Sequence, residues 1–143
     1  MLIKSHKELE VYKHSFNAAL EVYKLTLLFP NDEKYSLTDQ IRRSSRSVCA
    51  NIAEAFRKRR YDKHFVSKLT DAESEAAETQ VWLEFASAQK YIDENVFEGL
   101  LDKYEHIIAM IVKMQNQSTK WSVKQKEESN HLINTSSHQH IKK

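Results

Sequence analysis

The stretch LTDQIRRSSRSVCANIAEAFRKRR, residues 37–60, decides the fold. Leu37, Ile41, Val48, Ile52 and Phe56 recur with a helical period, so they share one face. Ser36 stands where an N-cap is needed, and Asp39 places an acid in the first turn. The spacing predicts a helix over 37–60. With Ile41 as the centre of its inner face, at about 100° per residue, Arg42, Arg46, Arg57 and Arg60 fall on one outer flank and Arg43 just beyond it. Ala50 and Ala53 lie within that flank. Small residues inside a basic stripe let another backbone approach, so this flank is expected to be a contact surface. The competing reading is a solvated charged face.

Outward from this helix, the chain has one Gly and one Pro among 143 residues. Sheets and Gly-rich phosphate loops need more turn residues, so the chain is all-α. A 41% hydrophobic, 29% charged composition suits one globular domain. Helix 1 is expected over about 7–29, stopped by Pro30. It carries two apolar stripes. Leu9, Tyr12, Phe16, Tyr23 and Leu27 form one; Val11, Ser15, Ala18, Val22, Leu25 and Phe29 form the other. A surface helix normally has one such stripe, so helix 1 is expected to pack on both sides. Helix 3 is expected over about 62–91, with Phe65, Leu69, Ala72, Ala76 and Leu83 inward. Asp93 is the expected cap of helix 4, over 94–117, whose apolar face is Val96, Leu100, Tyr104, Ile107, Ile111 and Met114. Gly99 inside it marks either a close contact or a tolerated cost of about 1 kcal/mol. These four helices with short loops predict an antiparallel up-down-up-down four-helix bundle over residues 1–117. Residues 118–143 are polar and weakly periodic and read as a flexible tail.

The polar residues divide into a few sets. Asn51 borders the core as a structural polar residue, while Glu54 faces outward. Glu54 is placed either to pair with Lys58 at i,i+4 or with an arginine of another subunit. Asp71, Glu75 and Glu78 cluster on the outer face of helix 3, which Val81, Trp82 and Phe85 continue. An exposed aromatic surface of that kind favours burial against a second subunit. The expected subunit interface is therefore Arg42, Arg46, Ala50, Ala53 and Glu54 facing Asp71, Glu75, Glu78, Trp82 and Phe85.

Net charge is only +2, so any nucleic-acid argument rests on where charge sits. From Arg42 to Lys63 there are eight basic residues against two acidic ones. The densest part is Arg57, Lys58, Arg59 and Arg60, followed by Lys63. Repeated around a closed oligomer, these residues can contact several RNA or DNA phosphates together. Tyr61 and His64 stand nearby and can stack on bases or pack at the rim. The alternative is a protein partner, with the arginines serving subunit contacts alone.

No catalytic residue, metal site or cofactor is expected. The one Glu-x-x-His spacing, Glu128 to His131, lies in the tail with His138 and His140. Cys49 reads as a small buried residue with no His placed beside it. There is no Gly-x-Ser-x-Gly elbow, Walker loop or dinucleotide fingerprint. A single cysteine excludes an internal disulfide and suits a reducing cytoplasm. No membrane span or signal segment is expected.

Gln40 with Arg42 and Arg43, then Asn51-Ile52-Ala53-Glu54, then Glu78-Thr79 with Trp82-Leu83-Glu84 together carry a family resemblance. In this order and spacing the chain, from about Leu9 to Met114, resembles the bacterial four-helix-bundle proteins encoded in 23S rRNA intervening sequences, often called 23S-ribosomal-protein-like. Many relatives have Gly where this chain has Ala55, and Gly-Tyr where it has Lys90-Tyr91; both changes are compatible with helix. The resemblance implies a left-handed bundle, a ring-shaped homopentamer and no established enzyme activity. A related group of basic pentameric barrels, the accessory proteins of diversity-generating retroelements, associates with nucleic acid. By that analogy the resemblance implies RNA or DNA as a partner.

Overall fold

The computed structural model describes residues 3–122. Its four long helices are α1 (Glu10–Thr26), α2 (Leu37–Arg57), α3 (Asp62–Ala88) and α4 (Glu94–Asn116). Each packs on its neighbours in sequence, and α4 closes back on α1. The cross-helix partners give the direction of each pair. Arg43 meets Glu78 while Glu54 meets Lys68, so numbers rise on α2 as they fall on α3. The same crossing relates Glu73–Gln115 to Gln80–Glu105 on α3 and α4. It relates His14–His106 to Glu21–Lys103 on α1 and α4. Arg42 meets Thr26 at one end of α1 and α2, while Tyr12 and Ala53 line one groove at the other. Adjacent helices are therefore antiparallel.

The core runs along the bundle axis. Ile41, Val48, Ile52, Phe65, Leu69, Leu83, Tyr104 and Ile111 are all buried there. Burying an aliphatic side chain of this kind contributes about 1.5–3 kcal/mol. Ser44 and Thr79 share a buried 2.8 Å hydrogen bond between α2 and α3. Thr79 donates its own proton to the Glu75 carbonyl at 2.9 Å and accepts that of Ser44. No polar atom of that pair is left unsatisfied.

Helix 1 begins and ends later and earlier than its sequence pattern predicts. Residues His6–Glu8 form a 3-10 turn capped by Ser5, and α1 starts at Glu10. Proline disfavours α geometry in the residue before it. Accordingly α1 stops at Thr26, and tighter bonds from Leu28 to Leu25 and Phe29 to Thr26 finish the turn before Pro30. The stripe that enters the core is Val11, Ser15, Ala18 and Val22. The other stripe stays largely outside: Phe16 is 46% exposed, and Tyr23 and Leu27 are also exposed.

The two cap expectations resolve differently. Ser36 does not cap α2; its hydroxyl donates to the Glu33 carboxylate at 2.7 Å. Asp93 does cap α4, accepting from the Val96 amide at 2.8 Å. Lys90 is not helical but left-handed, with φ 65°, and closes α3 through a 2.8 Å bond from the Tyr91 amide to the Ala86 carbonyl. That is the position where glycine is favoured, since it has no Cβ to crowd the following carbonyl. Nothing lies within 4 Å of where a Gly99 side chain would begin, so this glycine marks no close contact.

The body also extends past residue 117. Residues 118–122 are helical, and Ser118 and Ser122 are buried. The Trp121 ring packs 5.9 Å from that of Phe65, and the Ser122 hydroxyl donates to the Arg59 carbonyl at 2.9 Å. These five residues belong to the bundle rather than to a tail. The rest of the expected tail, with Glu128, His131, His138 and His140, lies outside the described residues.

Candidate assembly groove and basic rim

Helices α1 and α2 leave an open groove of about 520 Å³ between their outer edges. One wall is the α1 stripe that the core does not use: Tyr12, Phe16, Leu20 and Tyr23. The other wall is Arg46, Cys49, Ala50 and Ala53 of α2. The small side chains of Ala50 and Ala53 make the groove possible, because they leave the aromatic rings uncovered. Arg42 closes one end: its Nε donates to the Thr26 hydroxyl at 2.8 Å, and its guanidinium lies 4.8 Å from the Tyr23 ring centre. Arg46 is exposed within the groove. Cys49 is half-buried, and burial pushes its thiol up to about 11, so it stays protonated at neutral pH.

The acids expected to face another subunit are engaged within the chain. Arg43 holds Glu78 at 3.1 Å and Glu75 at 3.8 Å. Lys68 holds Glu54 at 2.9 Å and Asp71 at 3.9 Å. Glu54 therefore pairs across to α3 rather than with Lys58. Donating a hydrogen bond to the Glu54 carboxylate raises the Lys68 pKa. Burial, and then the neighbouring Glu78, push the Glu75 carboxyl above its ordinary value. Asn51 is half-buried and donates to the Ser47 carbonyl of its own helix at 2.9 Å. Its role is local to α2.

On α3, Trp82 is half-buried with its indole nitrogen enclosed and unpartnered, and its ring lies 6.0 Å from Phe85. Phe85 is 51% exposed, and Val81 beside it is exposed too. Above and below them on the same outer face stand Ser74, Ala77 and Ala88, all exposed and uncharged. Among the described residues, the α1/α2 groove and the outer face of α3 are both uncovered apolar surfaces.

The basic run ends α2 rather than extending it. Helix α2 stops at Arg57, and residues 58–60 turn toward α3. Arg59 folds back, its guanidinium 3.8 Å from the Phe56 ring centre and donating to the Phe56 carbonyl at 2.8 Å. It is the most embedded of the four cations. Arg57, Lys58, Arg60 and Lys63 are exposed. Tyr61 is exposed and meets His64 edge to face at 6.1 Å.

The sequence reading missed two neighbours of these surfaces. The aromatic wall of the groove was visible as one of the two stripes of helix 1, but not which stripe the core would take. The N-terminal residues Lys4 and His6 lie beside Arg57 and Lys58, which nothing in the local sequence signals. Among the described residues, no group of three His, Cys, Asp or Glu is placed to hold a metal, and no helix is long and apolar enough to cross a membrane.

A solved structure shares this arrangement. It is a protein of unknown function from the S23 ribosomal protein family of Bacteroides thetaiotaomicron, 29% identical, with a TM-score of 0.67 over 73% of this chain and 97% of that one. No curated protein matches the chain in sequence. The family model described as 23S rRNA-intervening sequence protein matches residues 7–113, which takes in all of α1, α2 and α3 and nearly all of α4. The chain belongs to the 23S rRNA-intervening sequence protein family.

Proposed function

We propose that this protein is a non-enzymatic subunit of a closed homo-oligomer, a pentamer as its family resemblance implies, that works in the cytoplasm and binds RNA or DNA through the basic end of α2. The observation that carries the reading is the uncovered groove between α1 and α2. Exposed Phe16, Leu20 and Tyr23 form a contiguous apolar surface that association would bury. Its partner is the outer face of α3 on a second copy, with Val81 and Phe85 seated against Ala50 and Ala53. Charge supports that pairing over a groove-to-groove one. Groove against groove brings Arg46 toward its own copy, whereas Glu84 beside Phe85 offers Arg46 an opposite charge. Two different faces meeting in this way form a head-to-tail contact, which generates a ring when the rotation closes.

A ring repeats Arg57, Lys58, Arg60 and Lys63 once per subunit. Weak phosphate contacts then add as one multivalent site. The test is fluorescence anisotropy with a structured RNA and a duplex DNA across salt. Each phosphate neutralised contributes about 0.9 to the slope of log affinity against log salt. Arg57→Glu with Arg60→Glu is expected to abolish binding and leave the oligomer intact.

A second reading is a scaffold that binds only protein. It is favoured by the arginines already committed to protein groups: Arg42 to Thr26, Arg43 to Glu78 and Arg59 to Phe56. Absence of binding at low salt by an intact oligomer selects it.

A further inference from the structure

At the end of the bundle, the N-terminal segment crosses beside the end of α2 and encloses a cleft of about 460 Å³. Lys4 and His6 stand on one wall, Arg57 and Lys58 on the other, with Ala53 and Phe56 between them. We infer that this cleft seats a phosphodiester of the bound nucleic acid, with Lys4 and His6 as contact residues in addition to the α2 rim. The inference rests on the nucleic-acid reading above and names where the strand is gripped.

The local charge supports an anion. Lys4, Arg57 and Lys58 form no ion pair with an acid among the described residues. The one carboxylate lining the cleft, Glu54, is held by Lys68 at 2.9 Å. The carbonyls at the end of α2 contribute about half a negative charge. The ionised Glu8 carboxylate beside Lys4 offsets one charge, and the three cations still outweigh both.

The N-terminal wall is fixed in place. The Glu8 carboxylate accepts the Lys4 and Ser5 amides at 2.7 and 3.0 Å, and the Ser5 hydroxyl accepts the Lys7 amide at 3.2 Å. Those two amides hold the Glu8 carboxyl below its ordinary range. His6 is set edge-on against Tyr12 at 4.7 Å. The cations are thus positioned before a ligand arrives, which lowers the ordering cost of binding. A single free phosphate needs one such cluster. Here the charge continues around the turn to Arg60 and Lys63, as successive phosphates of a strand require.

The test uses the full chain, checked for mass and helicity, and a fluorescein-labelled RNA hairpin. Lys4→Gln with His6→Gln alters the N-terminal wall alone and leaves every α2 rim residue in place. Lys24→Gln with Lys34→Gln removes two exposed charges at the opposite end and serves as the control. The cleft variant is expected to bind several-fold more weakly, with a salt slope shallower by about 1, while the control keeps the wild-type slope. Equal losses in both variants would mean a general charge effect and overturn the cleft. Wild-type binding by the cleft variant would overturn it too, leaving the α2 rim as the contact. If the wild-type protein itself fails to bind, the nucleic-acid reading falls and the cleft falls with it.

Discussion

Arg43 on α2 holds Glu78 on α3 through one nitrogen, Nη2, which donates to both carboxylate oxygens at 3.1 Å. This bond ties the two helices together on the outside, as the Ser44–Thr79 hydrogen bond does inside. Half of the Arg43 side chain is exposed, so solvent screens the pair. Its contribution is about 0.2–1 kcal/mol. Glu78→Gln should lower unfolding free energy by that amount in urea titrations at low salt. In about 1 M NaCl the difference should largely vanish, because the screening length falls to about 3 Å.

Glu75 should behave in the opposite way. Its carboxyl is raised above 4.5 by burial first and then by Glu78. A raised acid binds its proton more tightly in the folded state. Stability is therefore lost as pH rises from the unfolded value through the folded one. Glu75→Gln, which keeps the shape and removes the charge, should be more stable than wild type at neutral pH. The advantage should close as pH falls below the ordinary carboxylate range, read from denaturant midpoints across pH.

Lys90 holds a left-handed conformation at the end of α3, which costs a non-glycine residue about 1–2 kcal/mol. Lys90→Gly removes that strain but adds freedom to the unfolded chain. A net gain of about 1 kcal/mol is expected, measured as a rise in thermal midpoint with unchanged helicity.

Tyr104 is fully buried, and its hydroxyl has no hydrogen-bond partner. Burial pushes its phenol well above its ordinary value. An unsatisfied buried hydroxyl costs about 1–3 kcal/mol. Tyr104→Phe keeps the ring and deletes the cost, so it should raise unfolding free energy by about 1 kcal/mol. A loss of stability would show that the hydroxyl is satisfied within the core.

Arg46 and Glu84 test the head-to-tail contact. Arg46→Glu should weaken subunit association at least tenfold, as opposed charges become like ones. Adding Glu84→Arg should restore it. Restoration in the double variant is the informative result, since a general loss of folding would not be reversed. Sedimentation over a range of concentrations reads both.

Much of this was legible from spacing alone. Ile41, Val48 and Ile52 repeat cleanly enough to place the core face of α2, and Asp93 announces the start of α4. The choice between the two stripes of helix 1 was not legible, because both are apolar enough to enter a core. What decides is the neighbouring helices, which a local pattern does not contain. The partner of Glu54 was missed for the same reason. Lys58 is close in sequence, but Lys68 on α3 is the residue that α2 packs against. The helix ends shifted where a neighbour intervened, as Arg59 does on Phe56 and Pro30 does on Phe29. Residues 118–122 looked polar enough for a tail. Trp121 against Phe65 holds them to the bundle instead.

The most direct test of the account is the mass of the full chain by light scattering, beside Phe16→Glu. The wild type is expected at about 84 kDa, five copies of the 16.8 kDa chain, and the variant at 16.8 kDa with its helicity kept. A wild-type mass of 16.8 kDa at micromolar concentration would contradict it, and so would a Phe16→Glu oligomer as stable as the wild type.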